Sequence, residues 1–171
     1  IKEFSWAVLY DTLLSDVVKN SIASFMAELI QKCLKQPEPN PDLYNFCEES
    51  FLQVDKADKI VSANFALFFS LHLTHFFGFR MTDNFSSDNN VLDLQEGSFT
   101  VNQPTHPNFI DGKYAELTAQ LLKVMHPEEL EEFKLNRDLR RILLLRYLEY
   151  YALHIPDFGQ MKTLMVLHEV L

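Results

Sequence analysis

The sequence predicts a mainly α fold, a bundle of about six helices with one small β-hairpin inserted in its middle. Three observations predict it. Apolar residues recur at three- and four-residue steps through most of the 171 residues, the spacing of amphipathic helices. Only four glycines and seven prolines interrupt the chain, while 15 phenylalanines supply aromatic bulk, a composition that disfavours an all-β architecture. Between residues 79 and 111 the helical spacing lapses into a stretch rich in Asn, Asp, Ser and Pro.

The first helix is expected from Ser15 or Ser21 to Gln36, on Ile22, Phe25, Met26, Leu29, Ile30 and Cys33, with Pro37 and Pro39 ending it. Asn40 followed by Pro41 reads as an N-cap and a first-turn proline, opening a second helix that runs toward Asp55. A third helix from about Ser62 to Phe77 is apolar on nearly every side, which places it at the centre of the core, and Gly78 suits its C-terminal turn. Residues 91–94 and 98–101, flanking Gln95-Glu96-Gly97, form the expected hairpin. Helical spacing returns from Tyr114 to Met125, and an acidic turn follows Pro127, where Glu128 and Glu129 suit the positive end of a helix dipole. After Asn136 a long helix reaches Pro156 and reads as buried all round, and a last helix covers roughly residues 160–171. Residues 1–171 are thus expected to form a single helical domain, with 79–111 an inserted hairpin and loop subdomain.

Charge and composition narrow the function classes. Fifteen Lys and Arg against 24 Asp and Glu leave a net charge of -9, so the surface as a whole repels polyanions, and any contact with nucleic acid has to be local. Two cysteines cannot build a disulfide framework, and no secretory leader is visible, which makes the cytoplasm the expected compartment. The apolar run 65–77 is broken by Ser70, His72 and His75 and falls short of the roughly 20 residues of a membrane span, so no membrane helix is expected. The sequence opens on Ile1 and enters an apolar aromatic segment, residues 4–14, almost at once, as a fragment or processed product would.

No catalytic motif is present: there is no P-loop, GxSxG, GxGxxG or HExxH, and His106 and Asp111 read as turn residues. His72 and His75 form an HxxH pair, but zinc needs four ligands or three plus water. Cys33 and Cys47 sit at apolar helical positions that suit small buried hydrophobes, so no metal or other cofactor is expected.

The one concentration of positive charge lies between Lys134 and Arg146, where Lys134, Arg137, Arg140, Arg141 and Arg146 face a single acid, Asp138. At about 100° per residue, Arg137, Arg140 and Arg141 share one side of the helix, and Leu144, Leu148 and Tyr151 continue that side as apolar surface. A cationic rim beside an apolar groove suits an acidic peptide with an apolar end. The competing reading has these arginines solvated, or paired with the acidic turn at Glu128 to Glu132. Arg146 lies opposite, among Leu139, Ile142, Leu143 and Tyr150, and reads as a structural buried charge in need of a carboxylate partner.

Several segments in a fixed order carry a family resemblance. They are Lys19-Asn20-Ser21-Ile22-Ala23-Ser24-Phe25-Met26-Ala27-Glu28, then Glu38-Pro39-Asn40-Pro41-Asp42-Leu43-Tyr44, then Ala63-Asn64-Phe65 leading to Phe77-Gly78-Phe79. The hairpin Leu92-Asp93-Leu94-Gln95-Glu96-Gly97-Ser98-Phe99, His106-Pro107, and the run from Tyr150 through Pro156-Asp157-Phe158-Gly159 to Lys162-Thr163-Leu164 complete the set. With them, nearly the whole chain resembles the C-terminal helical domain of RecO, a bacterial recombination mediator, in the form found in Bacteroidetes-type bacteria.

The resemblance implies a non-enzymatic protein of DNA repair and homologous recombination. Such a protein works with RecR to displace single-stranded-DNA-binding protein, load RecA and anneal strands. It also implies that the helical domain docks the acidic C-terminal tail of single-stranded-DNA-binding protein, for which Arg137, Arg140, Arg141, Leu144 and Leu148 are the candidates here. Many relatives carry a four-cysteine zinc module after the third helix; residues 79–111 hold no cysteine, which argues against zinc and leaves the hairpin in its place. Full-length members bind single-stranded DNA mainly through an N-terminal OB-fold, whose five-strand pattern is not found in this sequence. The alternative is a helical ligand-sensing regulatory domain, which requires a closed apolar pocket of a few hundred Å³ between the third and the late helix, where a docking domain requires an open groove bordered by arginine.

Overall fold

A computed structural model describes residues 8–36 and 38–171 of the chain. The expected entry segment up to Ala7, and Pro37 as one of the helix-ending prolines, lie outside the described residues. Within them are six α-helices, two 3-10 segments and one small antiparallel sheet.

Four of the six helices start where a short polar side chain accepts the first free amides. α1, Val17–Cys33, begins at Asp16, which accepts from Val18 and Lys19. α2, Pro41–Lys56, has Asn40 as N-cap, with its side chain 3.0 Å from the Leu43 amide and Pro41 in the first turn, as the sequence reading expects. α3, Lys59–Leu73, starts three residues before the expected Ser62, because Asp58 caps it by accepting from Ile60 and Val61. A 3-10 turn, Thr74–Phe77, tightens its end, and Gly78 reverses the chain at φ +79°. Together α3 and this turn, Lys59–Phe77, form a stretch long and apolar enough to cross a membrane, longer than the 65–77 run seen in the sequence. Two thirds of it is buried inside the protein's own core.

The hairpin forms where expected, as β1, Val91–Asp93, antiparallel to β2, Ser98–Thr100. Asp93 shapes its turn by accepting from the Gln95 and Glu96 amides at 2.7 and 3.2 Å. Gly97 closes the turn at φ +65°, and a Cβ there would collide with the Tyr150 hydroxyl. A third strand, β3, Phe109–Ile110, pairs with the other edge of β1, giving the order β2-β1-β3. Leu92, Leu94, Phe99 and Ile110 are buried in the same core cluster as the helices. α4, Gly112–Leu122, and a 3-10 segment, Pro127–Glu132, lead to α5, Arg137–His154, capped by Asn136. α6 is Thr163–Val170.

α3 sits centrally, packed against α1, α4, α5 and the Pro127–Glu132 segment. Phe65, Phe68, Phe69, Leu67, Leu71 and Leu73 are all buried, each contributing about 1.5–3 kcal/mol of transfer free energy. Two polar side chains inside this core are matched by carbonyls, while Ser62 Oγ and Asn64 Oδ1 have no partner among the described residues. Ser70 donates to the Ala66 carbonyl at 2.7 Å, and the Asn64 amide donates to Phe133 at 2.8 Å. α5 is locked by three tyrosines that bury their rings. Tyr147 meets Thr118 of α4 at 3.0 Å, Tyr150 donates to Phe79 at 2.6 Å, and Tyr151 donates to Ser70 of α3 at 2.7 Å. Their phenols are pushed above the ordinary range by burial, so they stay neutral donors. α5 is not buried all round as expected, because Arg137, Arg141, Leu145, Glu149 and Ala152 form an exposed stripe at near four-residue spacing.

Candidate docking groove

The exposed stripe of α5 forms one wall of an open groove, and α6 with the turn before it forms the other. Arg137, Arg141, Leu145, Leu148 and Ala152 face Phe158, Met161, Leu164, Met165 and His168 across a volume of about 690 Å³. Met165 is 70% exposed, high for a large apolar side chain.

α6 is short, and its position depends on contacts at both ends. At its start, Glu28 of α1 accepts from the Lys162 and Thr163 amides at 2.8 Å and from the Thr163 hydroxyl at 2.7 Å. Desolvation raises the Glu28 carboxyl, but these donors and nearby Lys32 together hold it below the usual glutamate range. Lys32, one turn further along α1, donates to the Phe158 carbonyl at 2.7 Å. At its other end, Arg137 donates to the His168 carbonyl and Arg140 to the Leu171 carbonyl at 2.8 Å. Cations on the last carbonyls of a helix offset its negative end.

The structure divides the five residues expected at the docking site. Arg137, Arg141 and Leu148 line the open groove. Arg140 lies about 100° behind Arg141 around the helix and with Leu144 turns to the other side. There, with Ala63, Ala66 and Leu67 of α3 and Leu167 of α6, they enclose a recess of about 20 Å³ that Arg137 and Arg141 also border, room for one water molecule. Arg140 is half-buried, with its guanidinium donating to Leu135 as well as Leu171. Arg141 is exposed, and among the described residues it has no hydrogen-bond or ion-pair partner. His168 stands between recess and groove, its ring held below the ordinary range by burial and by Arg141 and Arg137.

Arg146 requires a correction. It is not a buried charge: its side chain is 40% exposed and pairs with Glu149, one turn along the same helix, at 2.7 Å. Helical angle sets it among apolar neighbours, but angle alone does not fix how deeply a side chain is covered, and among the described residues Arg146 stays in reach of solvent. The acidic turn Glu128 to Glu132 makes no ion pair with the arginines among the described residues; Glu129 instead accepts from the His126 amide at 3.1 Å.

The remaining candidates lie apart from the groove. His72 packs against Phe68 with ring centroids 4.3 Å apart, and burial, with Arg80 and His75 adding repulsion, pushes its pKa down to about 4. Burial pushes the Cys33 and Cys47 thiols up to about 12 and about 11, leaving both protonated near neutrality. His106 lies 3.3 Å from Asp93, where it ties the hairpin to the following loop, and Asp111 is the N-cap of α4.

Sequence reasoning missed Phe158, Met161, Leu164, Met165 and His168 as one wall of the site. Their three- and four-residue spacing was visible, yet the same spacing describes a core helix. The segments that carried the family resemblance turn out to hold the fold together: Glu28 meets Thr163, Asn40 caps α2, Asn64 anchors residue 133, and Lys19 donates to Thr12 and to the Asp55 carbonyl.

Comparison with known proteins agrees along the length of the chain. A family profile described as Recombination protein O C terminal matches residues 14–162. The chain is 34% identical over 170 residues to the DNA repair protein RecO of Azobacteroides pseudotrichonymphae genomovar. CFP2, covering 99% of this chain and 70% of that protein. It is 32% identical over 170 residues to DNA repair protein RecO of Christiangramia forsetii, covering 99% and 69%. With the protein of the same name from Bacteroides fragilis, identity is 32% over 173 residues, covering 99% and 70%. No solved structure matches significantly.

Proposed function

The chain belongs to the RecO family, matching the part of it described as C-terminal, and from that premise we propose that it is a non-enzymatic DNA repair and recombination accessory protein whose helical bundle docks protein partners. The groove between α5 and α6 receives the acidic C-terminal tail of single-stranded-DNA-binding protein. Through that contact and through RecR, the protein takes part in loading RecA and annealing strands in the cytoplasm. The observation that carries this reading is the contrast between the two hollows beside the arginines. The groove of about 690 Å³ is open and bordered by Arg137 and Arg141, whereas the recess between α3 and α5, about 20 Å³, is far too small for an apolar ligand. The hairpin segment 79–111 serves as a packed flank of the same helical domain, in the place where many relatives carry zinc.

Anisotropy titration of a labelled aspartate-rich peptide with an aromatic C-terminal residue tests the reading. Saturable binding that weakens as salt rises is expected, because exposed charges attract the peptide through a screened field. The same peptide with asparagine in place of aspartate binds much less. Absence of binding, or equal binding of the two peptides, overturns the proposal.

A further inference from the structure

The three arginines at the start of α5 do not have the same surroundings. Arg140 has both terminal nitrogens on carbonyls, those of Leu135 and Leu171, and among the described residues its buried Nε has no partner beside the small recess. It does not line the groove. Arg137 does, but its guanidinium already holds the His168 carbonyl at the end of α6. That bond commits one of its terminal nitrogens to a helix end that would lack a partner if the side chain swung away. Arg141 is exposed and lines the groove, and no partner engages it among the described residues.

The groove's acids sharpen the contrast. Glu149 lies eight residues beyond Arg141, about 12 Å along the helix, and is already paired with Arg146. Glu169 lines the groove from α6, beside His168. At the Arg137 and Arg141 end two cations outnumber the one acid Glu169, so an anion is attracted there, while Glu149 disfavours it further along α5 and the apolar walls of Leu148, Phe158, Met161 and Met165 continue past it.

We infer that Arg141 is the residue that receives the anion of a docking peptide, and that Arg137 and Arg140 are positioning residues that hold α6 in place as the groove's second wall. This inference rests on the docking reading and divides the work within it. A free guanidinium meets a carboxylate through two parallel N–H donors without giving up an existing bond, so the affinity it adds is not offset by a loss elsewhere.

The test compares Arg141→Ala, Arg141→Lys, Arg137→Ala and Arg140→Ala in the full chain. Three readings are taken for each: affinity for the aspartate-rich peptide, the dependence of that affinity on salt, and amide hydrogen exchange of α6. Arg141→Ala is expected to weaken binding about tenfold and flatten its salt dependence, with α6 exchange unchanged. Arg141→Lys keeps part of the affinity as a point charge. Arg137→Ala and Arg140→Ala instead speed exchange across α6 and weaken binding; Arg140→Ala leaves the salt dependence near that of the unmodified protein, and Arg137→Ala, which removes a cation from the groove, flattens it less than Arg141→Ala does. If the unmodified protein binds the peptide and Arg141→Ala binds it equally well with the same salt dependence, this inference fails and the docking reading stands. If the unmodified protein does not bind, the docking reading fails and takes the role of Arg141 with it. Unchanged α6 exchange in Arg137→Ala and Arg140→Ala overturns the positioning role.

Discussion

Asp55, near the end of α2, accepts from three successive amides of the segment before α1, those of Asp11, Thr12 and Leu13, at 2.8, 2.7 and 2.6 Å. Burial alone would raise its carboxyl, but these donors and the Thr12 hydroxyl hold it down at about 2. The ordinary aspartate value is about 3.9, so the folded form binds its proton less readily than the unfolded chain does. The resulting stabilisation is complete above about pH 4 and disappears as pH falls through 2. Asp55→Asn should lower unfolding free energy by about 2 kcal/mol at neutral pH, because the amide cannot accept all of these bonds as a carboxylate does. Chemical denaturation at pH 7 and pH 2.5 checks this: the gap between variant and unmodified protein should narrow at the lower pH, and an equal gap at both would discard the carboxylate account. Asp55 was legible in the sequence only as the last residue of a helix. Its partners lie more than forty positions away, and local spacing carries no trace of them. Arg146 shows the same limit in reverse, since its helical angle was readable and the depth of its cover was not.

At the scale of elements, the helices whose caps and periodicity are both local were readable, as Asn40 before α2 and Asn136 before α5 show. α3 began early because Asp58 is a competent cap whose claim competes, in sequence, with an apolar pattern that strengthens only after Ser62. β3 has two residues and no periodicity of its own, and it exists only because β1 offers it an edge. α6 was readable as a helix but not as a groove wall, because its cap is a glutamate from another helix. That arrangement yields a prediction about the element: Glu28→Ala should destabilise the fold by about 1 kcal/mol, the scale of a lost N-cap. Hydrogen exchange resolved by segment should show the loss concentrated in α6, with α3 and α5 protected as before. Peptide affinity should fall with it, although Glu28 is not among the residues lining the groove. Protection lost evenly across all helices would mean that Glu28 supports the bundle as a whole and not α6 in particular.

For the molecule as a whole, composition and the ordered resemblance segments were enough to read a mainly helical fold and its family, while the shape of the site was not readable. The cationic cluster was visible as a local reversal in a chain of net charge -9, yet which arginines stood free depended on where α6 came to rest. That net charge carries its own expectation. The described chain should bind a single-stranded oligonucleotide weakly, with what affinity there is falling as salt rises, because its cations are outnumbered by acids. Tight binding that salt does not weaken, measured by anisotropy, would contradict it. The clasp between Glu28 and Thr163 joins residues 135 positions apart. Closing so long a loop is entropically unfavourable until much of the intervening chain has packed, so this contact belongs to the late stages of folding. During synthesis the residues of α1 emerge long before those of α5 and α6, and until α6 has docked on α1 the α5 stripe has no opposite wall. On the docking reading, a partner that needs both walls of the groove is expected to engage the protein only after the two distant helices have met.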